Sequence, residues 1–190
     1  MRLEISPNNE INRKILHIFS GVILLIFLLV FGRTAFMVLL ILMLIAGAMI
    51  INMLFIGWKF LFSDWFIRNF ERPEIKFPGY STAWYLAGLL IATSVLHSQN
   101  EIAAVICALA FGDGFSTLFG ARGKIKLFYN TNKTLEGVGI FAAATISAII
   151  FIGWIAIPFA IIIAILESIP LKIDDNFSVP VFGTIFFSLM

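Results

Sequence analysis

Four short stretches of the chain carry residue types that chemistry needs. In Asn12-Arg13-Lys14-Ile15-Leu16-His17, Arg13 and Lys14 stand four and three residues before His17. All three therefore share one broad helix face. Basic residues also flank many first helices, and that plainer role competes for Arg13 and Lys14. His17 lies one turn into an apolar helix, where a polar ring needs a partner. The second stretch, Phe111-Gly112-Asp113-Gly114-Phe115-Ser116-Thr117-Leu118-Phe119-Gly120, sets an aspartate between two glycines, with Arg122, Lys124 and Lys126 close behind. Backbone freed of side chains can approach a phosphate while the carboxylate holds Mg²⁺ and lysines neutralise phosphate oxygens.

The third stretch is Lys133-Thr134-Leu135-Glu136-Gly137. Thr134 suits the cap of a helix whose N-terminus offers N–H groups to an anion, and Glu136 in the first turn complements the helix dipole. The fourth joins Glu167 to Asp174-Asp175-Asn176 and Pro180. Paired carboxylates on a short loop suit a divalent metal with oxygen ligands, or else make only a solvated acidic turn. Cations, glycine-rich turns and carboxylates in one protein fit phosphoryl or nucleotidyl transfer, where positioning and charge neutralisation do most of the work.

The elements that must position these groups are membrane helices. The chain has 190 residues, 61% of them hydrophobic and 13% charged, with a mean hydropathy of +1.02. Soluble domains are roughly 45–50% apolar and ~25% charged, so a soluble core could not hide this much apolar surface. The net charge of +2 argues against a nucleic-acid partner, and the single Cys107 excludes an intrachain disulfide. The apolar runs are long and do not alternate, which argues against strands. They predict an all-α polytopic bundle of about seven spans, at about 13–31, 34–57, 80–98, 101–119, 136–152, 154–170 and 177–190. The first run leads straight into the second without a small-residue cleavage site, so it reads as a retained span rather than a signal peptide.

A cytoplasmic N-terminus places Arg2, Arg13, Lys14, Lys59, Arg68, Arg72, Lys76, Arg122, Lys124, Lys126, Lys133 and Lys172 inside and only Arg33 outside, a split of 12 to 1. The whole chain, 1–190, is then one integral membrane domain. It has a cytoplasmic tail at 1–12 and cytoplasmic loops at 58–79 and 120–135. The acidic residues gather on the same side, with Glu101 the exception among eleven. A carrier would place ionisable groups near the midplane, whereas here the chemistry is one-sided.

The order of these motifs resembles the CTP-dependent lipid kinases, the family of dolichol kinase, phytol kinase and the CTP-dependent diacylglycerol kinase. RKxxH (Arg13, Lys14, His17), GDxxSxxxG (Gly112, Asp113, Ser116, Gly120) followed by Gly123-Lys124, KTLEG (Lys133 to Gly137), and Glu167 with DDNxxVP (Asp174 to Pro180) follow one another over residues 12–181. The resemblance implies transfer of the γ-phosphate of CTP to the hydroxyl of a lipid alcohol from the bilayer, with a divalent cation such as Mg²⁺. Arg13, Lys14, Asp113 and Gly120 match the family's positions for activity. Gly112, Ser116, Gly120, Lys124, Lys133 and Thr134 would bind the nucleotide, and Asp113, Asp174, Asp175 and Glu167 the metal. His17 or Glu136 would accept the alcohol's proton. Gly114-Phe115 stands where the family often has small residues, and Thr134 stands where Ser is common.

The resemblance implies a minimal, prokaryotic version acting on a polyprenol or dolichol, with phytol, geranylgeraniol or diacylglycerol as alternative acceptors, and the charge pattern places its site at the cytoplasmic face. A cytidylyltransferase that makes a CDP-lipid is a close rival, and a transporter or structural subunit a more distant one. A bundle of this size often needs a partner to cover its site, so a homo-oligomer is also open.

Overall fold

The computed structural model of the chain describes residues 7–58, 65, 69–70, 77–120 and 122–190, with side chains from Glu10 onward. Arg2, Lys59, Arg68, Arg72 and Lys76, five of the basic residues used to orient the chain, lie outside the described residues, as does most of the 58–79 loop.

The first apolar stretch forms α1, Pro7–Phe55, which is two helices end to end. They meet at Gly32, whose φ of 79° and ψ of 174° leave helical space. A residue with a Cβ is strained at that φ, so the chain changes direction where glycine permits it. Next come α2 (Tyr80–Val95) and α3 (Gln99–Cys107). A π-helical turn, Ala108–Gly112, then leads into α4, Asp113–Gly120. After the 122–134 loop follow α5 (Leu135–Thr145), the short α6 (Ile149–Ile152), α7 (Ala156–Ser168) and α8 (Asp175–Ser188). Gly153, with φ 60°, breaks the helical run between α6 and α7. The breaks at Gly32 and Gly153 fall where the sequence divides its first span from its second and its fifth from its sixth.

Three stretches, Glu10–Phe55, Gln99–Gly120 and Leu135–Ser168, are long and apolar enough to cross a membrane. The first runs to 46 residues and the last to 34. At 1.5 Å per residue the first is more than twice the ~30 Å of a hydrocarbon core. Among the described residues the only strand pairing is one antiparallel bridge, Lys126 with Thr134.

The centre of the bundle is α3 with its π turn, where every side chain from Ile102 to Ala110 is buried. Alanines at 103, 104, 108 and 110 let neighbouring helices approach this element closely, as small residues do in membrane packing. Helix α1 lies on one flank, α2 packs along α8, and α4 packs along α5. The outward side chains of α1 and of the α5–α7 run are large and apolar, among them Ile26, Val30, Leu42, Ile150 and Ile161. At one end of the bundle, Arg33 donates from Nε to the carbonyl of Thr93 (2.9 Å), and Gln99 donates to the carbonyl of Leu28 (2.6 Å). The polar groups of interest collect at the other end.

Candidate active site

That end is organised by Asp113, the first residue of α4, placed there by the π turn at the base of the buried core. Lys14, two turns into α1, reaches across to it, with Nζ 2.5 Å from Oδ2. His17 lies one turn further on the same face. Its Nε2 donates to the Leu109 carbonyl within the π turn (2.9 Å) and stands 3.5 Å from the Asp113 carboxylate. Its ring meets that of Tyr85 in a T-shaped contact, centroids 4.9 Å apart. Arg13 pairs with Glu10 on its own helix.

Two further carboxylates converge on Asp113 from the opposite side. Glu167 lies in the last turn of α7 and Asp175 begins α8, and oxygens of Asp113, Glu167 and Asp175 all lie within 4.8 Å of one another. Lys133 ties the pair together. Its ammonium donates to the Glu167 carboxylate (2.6 Å), the Glu167 carbonyl (2.6 Å) and the Asp175 carboxylate (3.2 Å). Burial works against the charge on Lys133, but the adjoining Glu167 and Asp175 more than offset it, and its pKa lies above the ordinary lysine value. Burial likewise pushes the Asp175 carboxyl above the usual carboxylate range, against the pull of Lys133.

A hairpin-like loop roofs these groups. Leu127 N–H donates to the Lys133 carbonyl (3.1 Å), and Leu135 N–H to the Ile125 carbonyl (2.8 Å). The tip of the loop is latched to the end of α7, through Tyr129 hydroxyl to Ser168 hydroxyl (2.6 Å) and Asn130 Nδ2 to the Ser168 carbonyl (2.8 Å). Thr134 serves two helices at once. Its Oγ1 accepts from Gly137 N–H (3.1 Å) as the cap of α5 and donates to the Gly120 carbonyl (2.8 Å) at the end of α4. At that crossing the two backbones nearly touch, since a Cβ on Gly120 would lie 2.4 Å from the Cα of Gly137.

Two cavities open on this arrangement. The larger, about 460 Å³, is bounded by Ser116, Thr117, Gly120, Gly123, Lys126, Thr134 and Glu167. The smaller, about 250 Å³, is bounded by Arg13, Asn130, Asp174 and the loop after α7. Lys14, Asp113, Asn132, Lys133 and Asp175 line both and form a shared wall.

This geometry can be set beside known proteins. The chain is 31% identical to the probable chloroplastic phytol kinase 2 of Oryza sativa, over 90% of this chain and 63% of that protein. It is 28% identical to the chloroplastic farnesol kinase of Arabidopsis thaliana, over 72% of this chain and 51% of that one. An uncharacterized protein of Methanocaldococcus jannaschii is 28% identical over 90% of this chain and 88% of its own length. These relatives, two of them named phytol or farnesol kinase, support the CTP-dependent lipid kinase family for this chain. The chain spans less than two thirds of the length of the plant relatives named here. No family model and no solved structure matches it.

The residues singled out in the sequence divide by position. Lys14, Asp113, Lys133 and Asp175 border both cavities, Arg13 the smaller, and Ser116, Gly120, Thr134 and Glu167 the larger. Others take different places. Glu136, a candidate proton acceptor, turns its carboxylate back to the N–H groups of Lys124 (2.8 Å) and Ile125 (3.2 Å) and lines neither cavity. The side chain of Lys124, expected on phosphate, is exposed and also lines neither. Asp174 borders the smaller cavity, but its Oδ1 accepts from Asn176 N–H (3.0 Å) as the cap of α8 and stands outside the carboxylate trio. Gly112 packs under Phe141 and Thr145, where an added Cβ would lie 2.5 Å from the Thr145 hydroxyl.

Lys126, one of the lysines expected near phosphate, borders the larger cavity, as do Thr131 and Asn132, which no motif marked. The polar run Asn130-Thr131-Asn132 ahead of Lys133 was the one available signal for them.

Proposed function

We propose that this chain is a membrane-embedded kinase that transfers the γ-phosphate of CTP to the hydroxyl of an isoprenoid alcohol of polyprenol or dolichol type. One observation carries the reading. Three carboxylates and two lysines, drawn from α1, α4, the 122–134 loop, α7 and α8, converge between two cavities at one end of an apolar bundle. That is the inventory of phosphoryl transfer, and it sits where a lipid hydroxyl and a water-soluble nucleotide can meet. The names of the plant relatives support an isoprenoid alcohol as the acceptor, and the motif order supports CTP as the donor. The same names favour a second acceptor class, the shorter alcohols phytol and farnesol.

In this reading Lys14 and Lys133 offset charge on the transferred phosphate. Ser116, Thr117 and Lys126, with the backbone at Gly120, surround the remainder of the donor. The alcohol oxygen bonds to the terminal phosphorus as the bond to the bridging oxygen breaks, and the nucleoside diphosphate departs with that electron pair. In formal charge, three carboxylates face two ammonium groups, one negative charge in excess. An oxygen-rich site of this kind suits a divalent cation, and Asp113, Glu167 and Asp175 would hold Mg²⁺. When bound, that ion supplies further neutralisation of the phosphate oxygens. His17 is committed to Leu109 and Glu136 to the 124–125 backbone. The hydroxyl proton then passes to an oxygen of Asp113 or Asp175 that faces neither a lysine nor the ion.

For topology, the reading takes seven crossings with the N-terminus and the site in the cytoplasm. The two long helical runs each fold into a pair of spans at Gly32 and Gly153.

The deciding experiment offers the purified protein γ-labelled CTP or ATP with Mg²⁺, together with farnesol, phytol, geranylgeraniol, a polyprenol or diacylglycerol. The expected result is label in an isoprenoid alcohol, from CTP. Label in diacylglycerol alone would overturn the acceptor class, and pyrophosphate release with an acidic lipid would indicate cytidylyl transfer.

A further inference from the structure

The two cavities differ in what lines them. Among the described residues, Val138 is the one apolar side chain other than glycine at the larger cavity, which is otherwise bordered by hydroxyls, amides, charges and bare backbone. The smaller cavity has Ile169, Pro170, Leu171 and Ile173 along one side. These belong to the loop joining α7 to α8, and Leu171 and Ile173 are 43% and 50% exposed. Apolar side chains turned outward beside a polar site lose contact with water only if a lipid or another apolar group covers them. The loop is also pinned at both ends by the site itself, with Glu167 and Ser168 before it and the Asp174 cap of α8 after it.

Phosphoryl transfer needs the attacking and leaving oxygens roughly in line across the phosphorus. Donor and acceptor therefore approach the shared wall of Lys14, Asp113, Lys133 and Asp175 from different sides. Given the kinase reading on which this rests, we infer that the smaller cavity is the acceptor subsite. The isoprenoid alcohol brings its hydroxyl past Leu171 and Ile173 to the shared wall, while the nucleotide occupies the larger, polar cavity. The volumes agree. About 460 Å³ falls within the usual range for a whole small ligand, roughly 300–1,000 Å³. About 250 Å³ takes only the hydroxyl end of a long alcohol, whose tail stays in the bilayer.

The one cysteine, Cys107, is buried in α3, so introduced cysteines can be labelled against a quiet background. Leu171→Cys reports on the smaller cavity and Thr131→Cys on the larger. Both positions are exposed, so neither substitution disturbs the core. Maleimide labelling of each variant is followed in detergent with farnesol, with CTP plus Mg²⁺, or with an isoprenoid hydrocarbon of the same length that lacks the hydroxyl. Farnesol is expected to slow labelling of Leu171→Cys several-fold and leave Thr131→Cys unchanged, with CTP doing the reverse and the hydrocarbon protecting neither. Protection of Leu171→Cys by CTP, equal protection by the hydrocarbon, or no protection at either position would overturn the inference.

The assay requires no turnover, so the two failures separate. Phosphorylation of an alcohol with the wrong protection pattern removes only the acceptor subsite. The predicted pattern without phosphate transfer to any alcohol leaves a two-sided binding site and removes the kinase.

Discussion

Lys14 and Asp113, 99 residues apart in the chain, meet with Nζ 2.5 Å from Oδ2, their side chains 7% and 4% exposed. A contact so far from water is costly to break from one side, because the remaining charge is left buried without its partner. Such losses run to about 3–5 kcal/mol, while replacing both partners with apolar groups of similar size is often neutral. Asp113→Asn and Lys14→Met should each abolish turnover and lower the melting temperature in detergent. The double variant Lys14→Met/Asp113→Leu should recover the melting temperature and stay inactive. Recovery of activity in the double variant would show that the pair acts only as a structural tie.

The crossing of α4 and α5 gives a second prediction. A methyl group on Gly120 would lie 2.4 Å from the Cα of Gly137, backbone that cannot move aside as a side chain does. Gly120→Ala should cost about 1–3 kcal/mol of stability, the usual range for overpacking. It should also weaken nucleotide binding, because the two helices bound the larger cavity. Gly139, on the same helix with nothing within 4 Å, is the control. Gly139→Ala should keep binding intact and gain up to ~1 kcal/mol from helix propensity. Thermal melts and equilibrium binding of CTP to the three proteins check both statements.

Much of this site was legible because its members are local motifs in an apolar background. A charge flanked by membrane helix stands out, so Lys14, Asp113, Lys133 and Glu167 could be named from sequence. Their pairings could not, since Lys14 and Lys133 have the same chemistry and only the bundle decides which carboxylate each one meets. The π turn was hidden for a related reason. Nothing in Ala108–Gly112 marks a widened turn, yet that turn presents the Leu109 carbonyl to His17 and settles the ring's hydrogen bond. The helical stretches themselves were plain, because the polar links and the glycines at 32 and 153 interrupt otherwise continuous apolar sequence.

Glu136 separates a bracing role from a proton-transfer role. Its carboxylate accepts from the N–H groups of Lys124 and Ile125 and so fixes the start of the roofing loop against α5. Glutamine keeps one acceptor oxygen in place, whereas alanine removes both. Glu136→Gln should therefore keep most of the turnover, while Glu136→Ala should raise the KM for the nucleotide as the loop loosens. General-base catalysis is worth roughly 10²–10⁴ in rate. A loss of that size in Glu136→Gln, with KM unchanged, would restore the residue to the chemistry.

Asp174 and Asp175 are neighbours in sequence with different work to do. The carboxylate of Asp174 is spent on Asn176 N–H as the cap of α8, and asparagine caps a helix about as well as aspartate. Asp175, one residue on, points at Lys133 and shares the carboxylate trio with Asp113 and Glu167. An ion that binds only the folded protein raises its stability, by about 2.7 kcal/mol at a hundredfold excess over Kd. Melting followed across a Mg²⁺ titration in detergent should show the same upward shift for Asp174→Asn as for the parent, and a much smaller one for Asp175→Asn. The opposite ranking would move the ion from the trio to the cap and take Asp113 out of its coordination.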